Sequence, residues 1–385
     1  MNMSIVKYIG VDDPDLDLFE SQYDVPEGMC YNSYLVEGSK IAIMDTVDSR
    51  KTKEWIEKLE NALNNKKPDY LVVQHMEPDH SGSIAALLAK YPAITIVASD
   101  KAIKFMEQFY EGIQIKSQIV KEGDILDLGN DITLKFYSAP MVHWPEVLMT
   151  YVEKEETLFS ADGFGKFGVY NADPDDWACE ARRYYFNICG KYGNNVANVL
   201  KKVAAVKIQK ICPLHGPVLE GAQMAEAIRL YSIWSSYGVE TPGVLVAYAS
   251  IHGNTGNAAK KLAEILKQKG APKVAVADLS RDDMEEAIED AFRMGSMVLA
   301  CATYDGNIFP PMQQFLYKLT IKGYQRRRVG LIENGTWAPQ AAKIMRTALE
   351  NMKEIEIVEP VVSIKSALKK DDESQLNALA DAILA

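Results

Sequence analysis

The chain has 385 residues, more than one hydrophobic core usually supports, and 48% of them are apolar, so two globular domains are expected. Its 42 basic and 53 acidic residues leave a formal net charge of −11, which repels phosphate backbones and anionic bilayers and argues against nucleic acid or membrane as partners. The first residues, MNMSIVKYIGVDD, lack the basic and apolar regions of a secretory signal, no apolar run reaches a membrane-spanning length, and the five cysteines (Cys30, Cys179, Cys189, Cys212, Cys301) include no C-x-x-C pair. Together these read as a cytoplasmic protein with reduced thiols, without an iron–sulfur or rubredoxin-type centre of usual spacing.

In chain order, short alternating strands come first, in YNSYLVEG and KIAIMDTV, followed by a helix through SRKTKEWIEKLENALNN. The strand DYLVVQ then runs directly into HMEPDH, residues 75–80. Further strand-like pieces, ITIVAS, ITLKFYS, VLMTYVE and TLFSAD, complete an α/β domain of mixed sheets with helices outside and polar residues at strand ends. At YGVETPG, residues 237–243, proline and glycine end a helical pattern, which places a domain boundary between 242 and 243. Beyond it, apolar strands and helical patterns alternate five times, from VLVAYAS to EIEIVEPVVSI and a last helix. That rhythm predicts a doubly wound parallel five-stranded sheet with helices on both faces.

Only five histidines occur, and four of them (His75, His80, His143, His215) follow predicted strands of the first domain, as does Asp162 in LFSADGFG. Any one alone is most simply a hydrogen-bonded structural residue; together they point to ligands delivered to a common rim. Within HMEPDH, His75, Glu77 and Asp79 alternate to one side while His80 follows on a bend, so the whole set cannot reach one ion and two metals are expected. His75, Glu77 and His143 would hold one ion and Asp79, His80 and His215 the other, with Asp162 bridging a pair about 3.5–4 Å apart. A histidine-rich set suits catalytic zinc, whereas mixed imidazole and carboxylate donors suit iron or manganese better.

H-x-E-x-D-H at 75–80, followed by His143, Asp162 and His215, resembles the metallo-β-lactamase-like domain of the flavodiiron proteins, also called A-type flavoproteins. Zinc hydrolases of that superfamily read H-x-H-x-D-H, and glutamate at position 77 is the change associated with iron. HWPE (143–146), FSADGFG (159–165) and PLHGP (213–217) are in the same style, and the resemblance covers essentially the whole chain. It implies an αββα sandwich over residues 1–242 and a flavodoxin-like domain over 243–385. It further implies two iron ions bridged by Asp162 and an oxo or hydroxo group, plus FMN. The implied activity is reduction of dioxygen to water, of nitric oxide to nitrous oxide, or both, as protection against oxygen or nitrosative stress. Electrons would come from rubredoxin or another small redox donor, with reduced deazaflavin as the alternative. A head-to-tail homodimer or a tetramer would set one chain's FMN beside the other chain's irons. With no rubredoxin or reductase module in the sequence, the donor is expected to be a separate protein.

In the second domain, SIHGNTGNAA follows the first strand, and small, hydroxylated residues at such a turn let backbone N–H groups converge on a phosphate. Ser250, Ile251, His252, Gly253, Asn254 and Thr255 are expected to cradle the FMN phosphate; His252 stands where the family more usually has tyrosine. The loops after the third and fourth strands lie on the same sheet edge. They offer Ala302, Thr303, Tyr304, Asp305, Gly306 and Asn307, then Asn334, Gly335, Thr336 and Trp337, with Tyr304 and Trp337 as planar partners for the flavin ring. Near the metals, the phenol of Tyr170 and the indole of Trp144 are candidate proton donors, each more simply a packing residue.

Overall fold

The computed structural model describes residues 4–172 and 176–385. The chain divides into two compact units, Met1–Ser232 and Ile233–Ala385. Among the described residues no helix is long and apolar enough to cross a membrane.

The first unit is built on two six-stranded sheets. One contains Tyr34–Glu37, Ile41–Met44, Tyr70–Val73 and Thr95–Ala98; the other contains Ile132–Ser138, Leu148–Val152, Thr157–Phe159 and Lys210–Cys212. Period-two alternation assigns the faces. Val36, Ala42, Met44, Val72 and Val97 pack against Leu134, Phe136, Val152 and Phe159 of the second sheet, forming the sandwich interior. The intervening residues Leu35, Ile43, Leu71, Val73 and Ile96 face the other way, onto Trp55 and Leu59 of helix Thr52–Leu63, Leu87 of Ile84–Lys90 and Met106 of Asp100–Phe109. Tyr70–Val73 lies between two parallel neighbours, so both its faces are covered and its run YLVV is continuously apolar.

This topology gathers strand ends. Residues 74–80 leave the end of Tyr70–Val73, Asp162 follows Thr157–Phe159, and His215 follows Lys210–Cys212, a strand parallel to Thr157–Phe159. His143 sits in the loop between Ile132–Ser138 and Leu148–Val152.

The second unit is a parallel sheet in the spatial order Val274–Asp278, Thr241–Ala249, Met294–Tyr304, Arg327–Asn334, then Ile355–Ile357 and Val362–Ile364. Numbered along the chain this is 2-1-3-4-5, the flavodoxin-like order of doubly wound folds. Five helices alternate with the strands: Asn254–Gln268, Met284–Arg293, Pro310–Ile321, Ala341–Glu350 and Asp372–Leu384. At Gly330 an added Cβ would lie 2.9 Å from Leu379 Cδ1, so glycine sets how closely the last helix approaches its strand. The stretch EIEIVEPVVSI, read above as one strand, is two short ones pairing with Arg327–Asn334. Pro360 lies between them and has no N–H to give to the ladder.

Candidate functional site

The loop after Tyr70–Val73 is held from behind by a buried carboxylate. Asp45, in a left-handed conformation (φ 53°), accepts from Gln74 N at 2.7 Å and Gln74 Nε2 at 2.9 Å, and burial pushes its carboxyl up to about 6. Glu77 then caps the short helix Pro78–Ser81 without a side-chain cap bond, leaving its carboxylate free to turn to the cluster. The helix carries Asp79 and His80, and its position is fixed by Thr46, whose hydroxyl donates to His80 O at 2.7 Å. His215 is placed by Asn32, whose amide donates to Pro213 O and Gly216 O at 2.9 and 2.7 Å.

Seven side chains converge in two groups. His75, Glu77, His143 and Asp162 form one and Asp79, His80 and His215 the other, each with its ligand atoms within 4.8 Å of one another. Asp162 addresses both: Oδ2 lies 3.2 Å from His75 Nε2 and from His143 Nε2, while Oδ1 lies 3.2 Å from His80 Nε2 and 3.8 Å from His215 Nε2. Glu77 Oε2 is 2.9 Å from His143 Nε2, and Asp79 Oδ2 is 3.2 Å from both His80 Nε2 and His215 Nε2.

The donor chemistry fits cations better than an internal hydrogen-bond network. His75 Nδ1 faces Glu146 Oε1 at 2.8 Å and His215 Nδ1 faces the Cys30 carbonyl at 2.7 Å, so each Nδ1 carries a proton and Nε2 is the nitrogen that each ring, in its neutral form, offers to the cluster; burial opposes a charge on His75, but the Asp162 and Glu146 carboxylates outweigh it and push that ring up. In the neutral form the Nε2 lone pairs point at carboxylate oxygens, and His80 Nε2 and His215 Nε2 stand 3.1 Å apart. Both oxygens of Asp79 and both of Asp162 are buried without a hydrogen-bond donor. Burial, with Glu77 and Asp162 adding to it, pushes the Asp79 carboxyl up to about 7. Burial opposes a charge on His143, but Asp162 and Glu77 outweigh it and hold that ring up at about 9. Divalent cations between these groups satisfy lone pairs and charge together.

Aromatic rings enclose the cluster. Phe19, Tyr31 and Tyr184 stand 5.4, 6.2 and 5.6 Å from the His215 ring, and Trp144 is edge-on to His75 at 5.3 Å. Tyr170 packs on Tyr8 at 4.5 Å, and the phenols recorded against a cluster histidine are instead Tyr31 and Tyr184. A cleft of about 260 Å³ opens onto Glu77 and Asp79, walled by Phe19, Glu20, Tyr31, Asp48 and Arg50. Sequence reasoning missed Asp45, Glu146, Tyr31 and Glu20. Of these only Glu146 falls within a stretch singled out from the sequence, HWPE, and nothing in that stretch marks it as buried or as the partner of His75.

In the second unit a cavity of about 650 Å³ lies at the carboxyl edge of the sheet. Of the sixteen residues expected to bind the flavin, all line it except Gly253 and Asn307. Gly253 has φ 87° just before helix Asn254–Gln268 and turns the chain into that helix, while Asn307 pairs with Tyr304 in a small hairpin. Ala338, Gln340 and Ser366 also line the cavity. The loop after Arg327–Asn334 is braced by its neighbours: Asn334 Nδ2 donates to Ser366 O at 2.9 Å, and Thr303 Oγ1 accepts from Gln340 N at 3.0 Å. The buried Ser250 hydroxyl has no hydrogen-bond partner and sits beside free helix N–H groups, a fit for a phosphate. Trp337, 82% exposed, and Tyr304, 44% exposed, supply faces for a planar ring at the rim. On the expectation that this cavity takes FMN, Gly253→Val, which puts a β-branched residue at positive φ, should weaken FMN binding by at least tenfold in a fluorescence titration.

The model described as the ODP family β-lactamase matches residues 29–216. A putative diflavin flavoprotein A 2 of Synechocystis sp. is 28% identical over 91% of this chain, which spans 61% of that relative's length. An anaerobic nitric oxide reductase flavorubredoxin of Escherichia coli is 27% identical over 87% of the chain and 71% of its own length. Among solved structures, the rubredoxin oxygen:oxidoreductase of Desulfovibrio gigas superposes with a TM-score of 0.93 at 26% identity, covering 100% of this chain and 97% of that one.

Proposed function

Because the chain belongs to the flavodiiron proteins, we propose that it is an oxidoreductase reducing dioxygen to water, nitric oxide to nitrous oxide, or both, at a pair of irons held by His75, Glu77, Asp79, His80, His143, Asp162 and His215. The observation that carries this reading is Asp162, whose two carboxylate oxygens face separate donor groups. A bound iron pair would supply the redox chemistry, and FMN held in the second unit's cavity would be the source of its electrons. Ser250 and the following N–H groups would hold the flavin phosphate, with Tyr304 and Trp337 against the ring. In the cleft at Glu77, burial and then the Glu77 charge push the Glu20 carboxyl up to about 7. Phe19, Trp144 and Tyr184 shield the cluster from bulk water.

The names of the two relatives cited for rubredoxin support a rubredoxin-type donor. A cytoplasmic location and a head-to-tail dimer, which would bring one chain's flavin to the other's irons, complete the proposal. Its test is anaerobic: protein pre-reduced through a rubredoxin donor, then given dioxygen or nitric oxide separately, should consume at least one gas catalytically, and the two rates rank its preference. Consumption of neither gas by iron- and FMN-replete protein would reject the reading.

A further inference from the structure

Glu146 is a buried acid for which the proposed reaction has no use. Its Oε1 accepts two hydrogen bonds, from His75 Nδ1 at 2.8 Å and from Met76 N at 2.9 Å, and the side chains of Glu146 and His75 are both fully buried. Its Oε2 is buried without a hydrogen-bond partner, so nothing there disperses the charge. The backbone is pinned as well: Ser99, at the end of strand Thr95–Ala98, donates its hydroxyl to Glu146 O at 2.8 Å.

The other donor group is backed differently. His215 Nδ1 donates to a neutral backbone carbonyl, that of Cys30, and His80 Nδ1 is buried with no hydrogen-bond partner among the described residues. A carboxylate behind an imidazole N–H raises the basicity of the far nitrogen, and in a water-excluded site its charge is poorly screened. Hence one group gains negative charge through its histidine and the other does not.

We propose that Glu146 is a positioning residue that makes the two metal positions unequal, tightening divalent-ion binding at His75, Glu77 and His143 and lowering the reduction potential of the iron there relative to the ion at Asp79, His80 and His215. The potential half of this inference rests on the iron-pair reading; the affinity half does not.

The test compares wild type, Glu146→Gln and Glu146→Ala as full chains. Glutamine can still accept from His75 and Met76 but carries no charge. In metal-stripped protein titrated with cobalt(II), one of two binding steps should weaken about 10–100-fold in Glu146→Gln while the other is unchanged. Glu146→Ala also frees the His75 ring and should weaken that same step further. In the iron-loaded protein, a redox titration followed by electron paramagnetic resonance should show one couple raised in potential, its ferric/ferrous ratio at a fixed ambient potential falling at least tenfold, about 59 mV for one electron. A Glu146→Gln protein with both cobalt steps and both couples at wild-type values would overturn the proposal, as would an equal shift of both sites. If wild type carries only zinc, the oxidoreductase reading fails, yet the cobalt titration still decides whether Glu146 distinguishes the sites.

Discussion

Asp162→Ala should lose gas reduction entirely and retain at most one metal ion per chain, with FMN content unchanged. Asp162 is 1% exposed and its two oxygens face the histidines of both donor groups, so no other side chain can replace it without moving a strand end. Removing an outer partner of a metal histidine costs about 10–100-fold in affinity or activity, and loss of a bridging donor exceeds that. The backbone should survive the change. Gly165 N donates to Asp162 O at 3.1 Å and the Ser160 hydroxyl donates to Gly163 O at 2.6 Å, bonds that need no Asp162 carboxylate. Elemental analysis, flavin absorbance and anaerobic assay read the three quantities independently. Parallel loss of FMN would mean that the two units are not independent in holding their cofactors.

Glu77→His should shift metal content from iron towards zinc. The substitution recreates H-x-H-x-D-H and exchanges a hard anionic oxygen for a neutral imidazole nitrogen, a donor on which zinc outcompetes ferrous iron. The site can take the ring. Glu77 lies at the mouth of the cleft and makes no cap bond to helix Pro78–Ser81, so the helix does not depend on its carboxylate, whose partners are the histidines of the cluster. The change also removes the negative charge that, with Asp162, would offset a ferric ion. Protein grown with both metals should show iron falling severalfold with zinc taking its place, and gas reduction falling in proportion. Iron held at the wild-type level would reject Glu77 as the determinant of metal choice.

Local chemistry made much of this molecule readable from its sequence. Parallel strands buried on both faces must be continuous apolar runs, and loops that carry a function place polar residues directly after them, so DYLVVQ followed by HMEPDH announces both strand and site. The five β–α alternations of the second unit are equally legible, because period two and period 3.6 differ over short windows. What escaped depends on distance along the chain. Glu146 meets His75 across 71 positions and Asp45 meets Gln74 across 29, and nothing local marks a buried acid as the partner of a remote histidine or amide. Tyr31 and Tyr184 were missed for the same reason, while Tyr170 attracted notice through proximity in sequence to Asp162. The final strand was read as continuous because its apolar residues flank Pro360, whose missing N–H interrupts the ladder more than the hydrophobic pattern suggests.

Metal analysis of the purified wild-type protein, grown with iron and zinc both available, tests the central claim most directly. The account predicts two irons per chain, little zinc, and an exchange-coupled ferric pair by Mössbauer spectroscopy. Two zinc ions and no iron per chain would contradict it and return HMEPDH to the hydrolase chemistry of its superfamily.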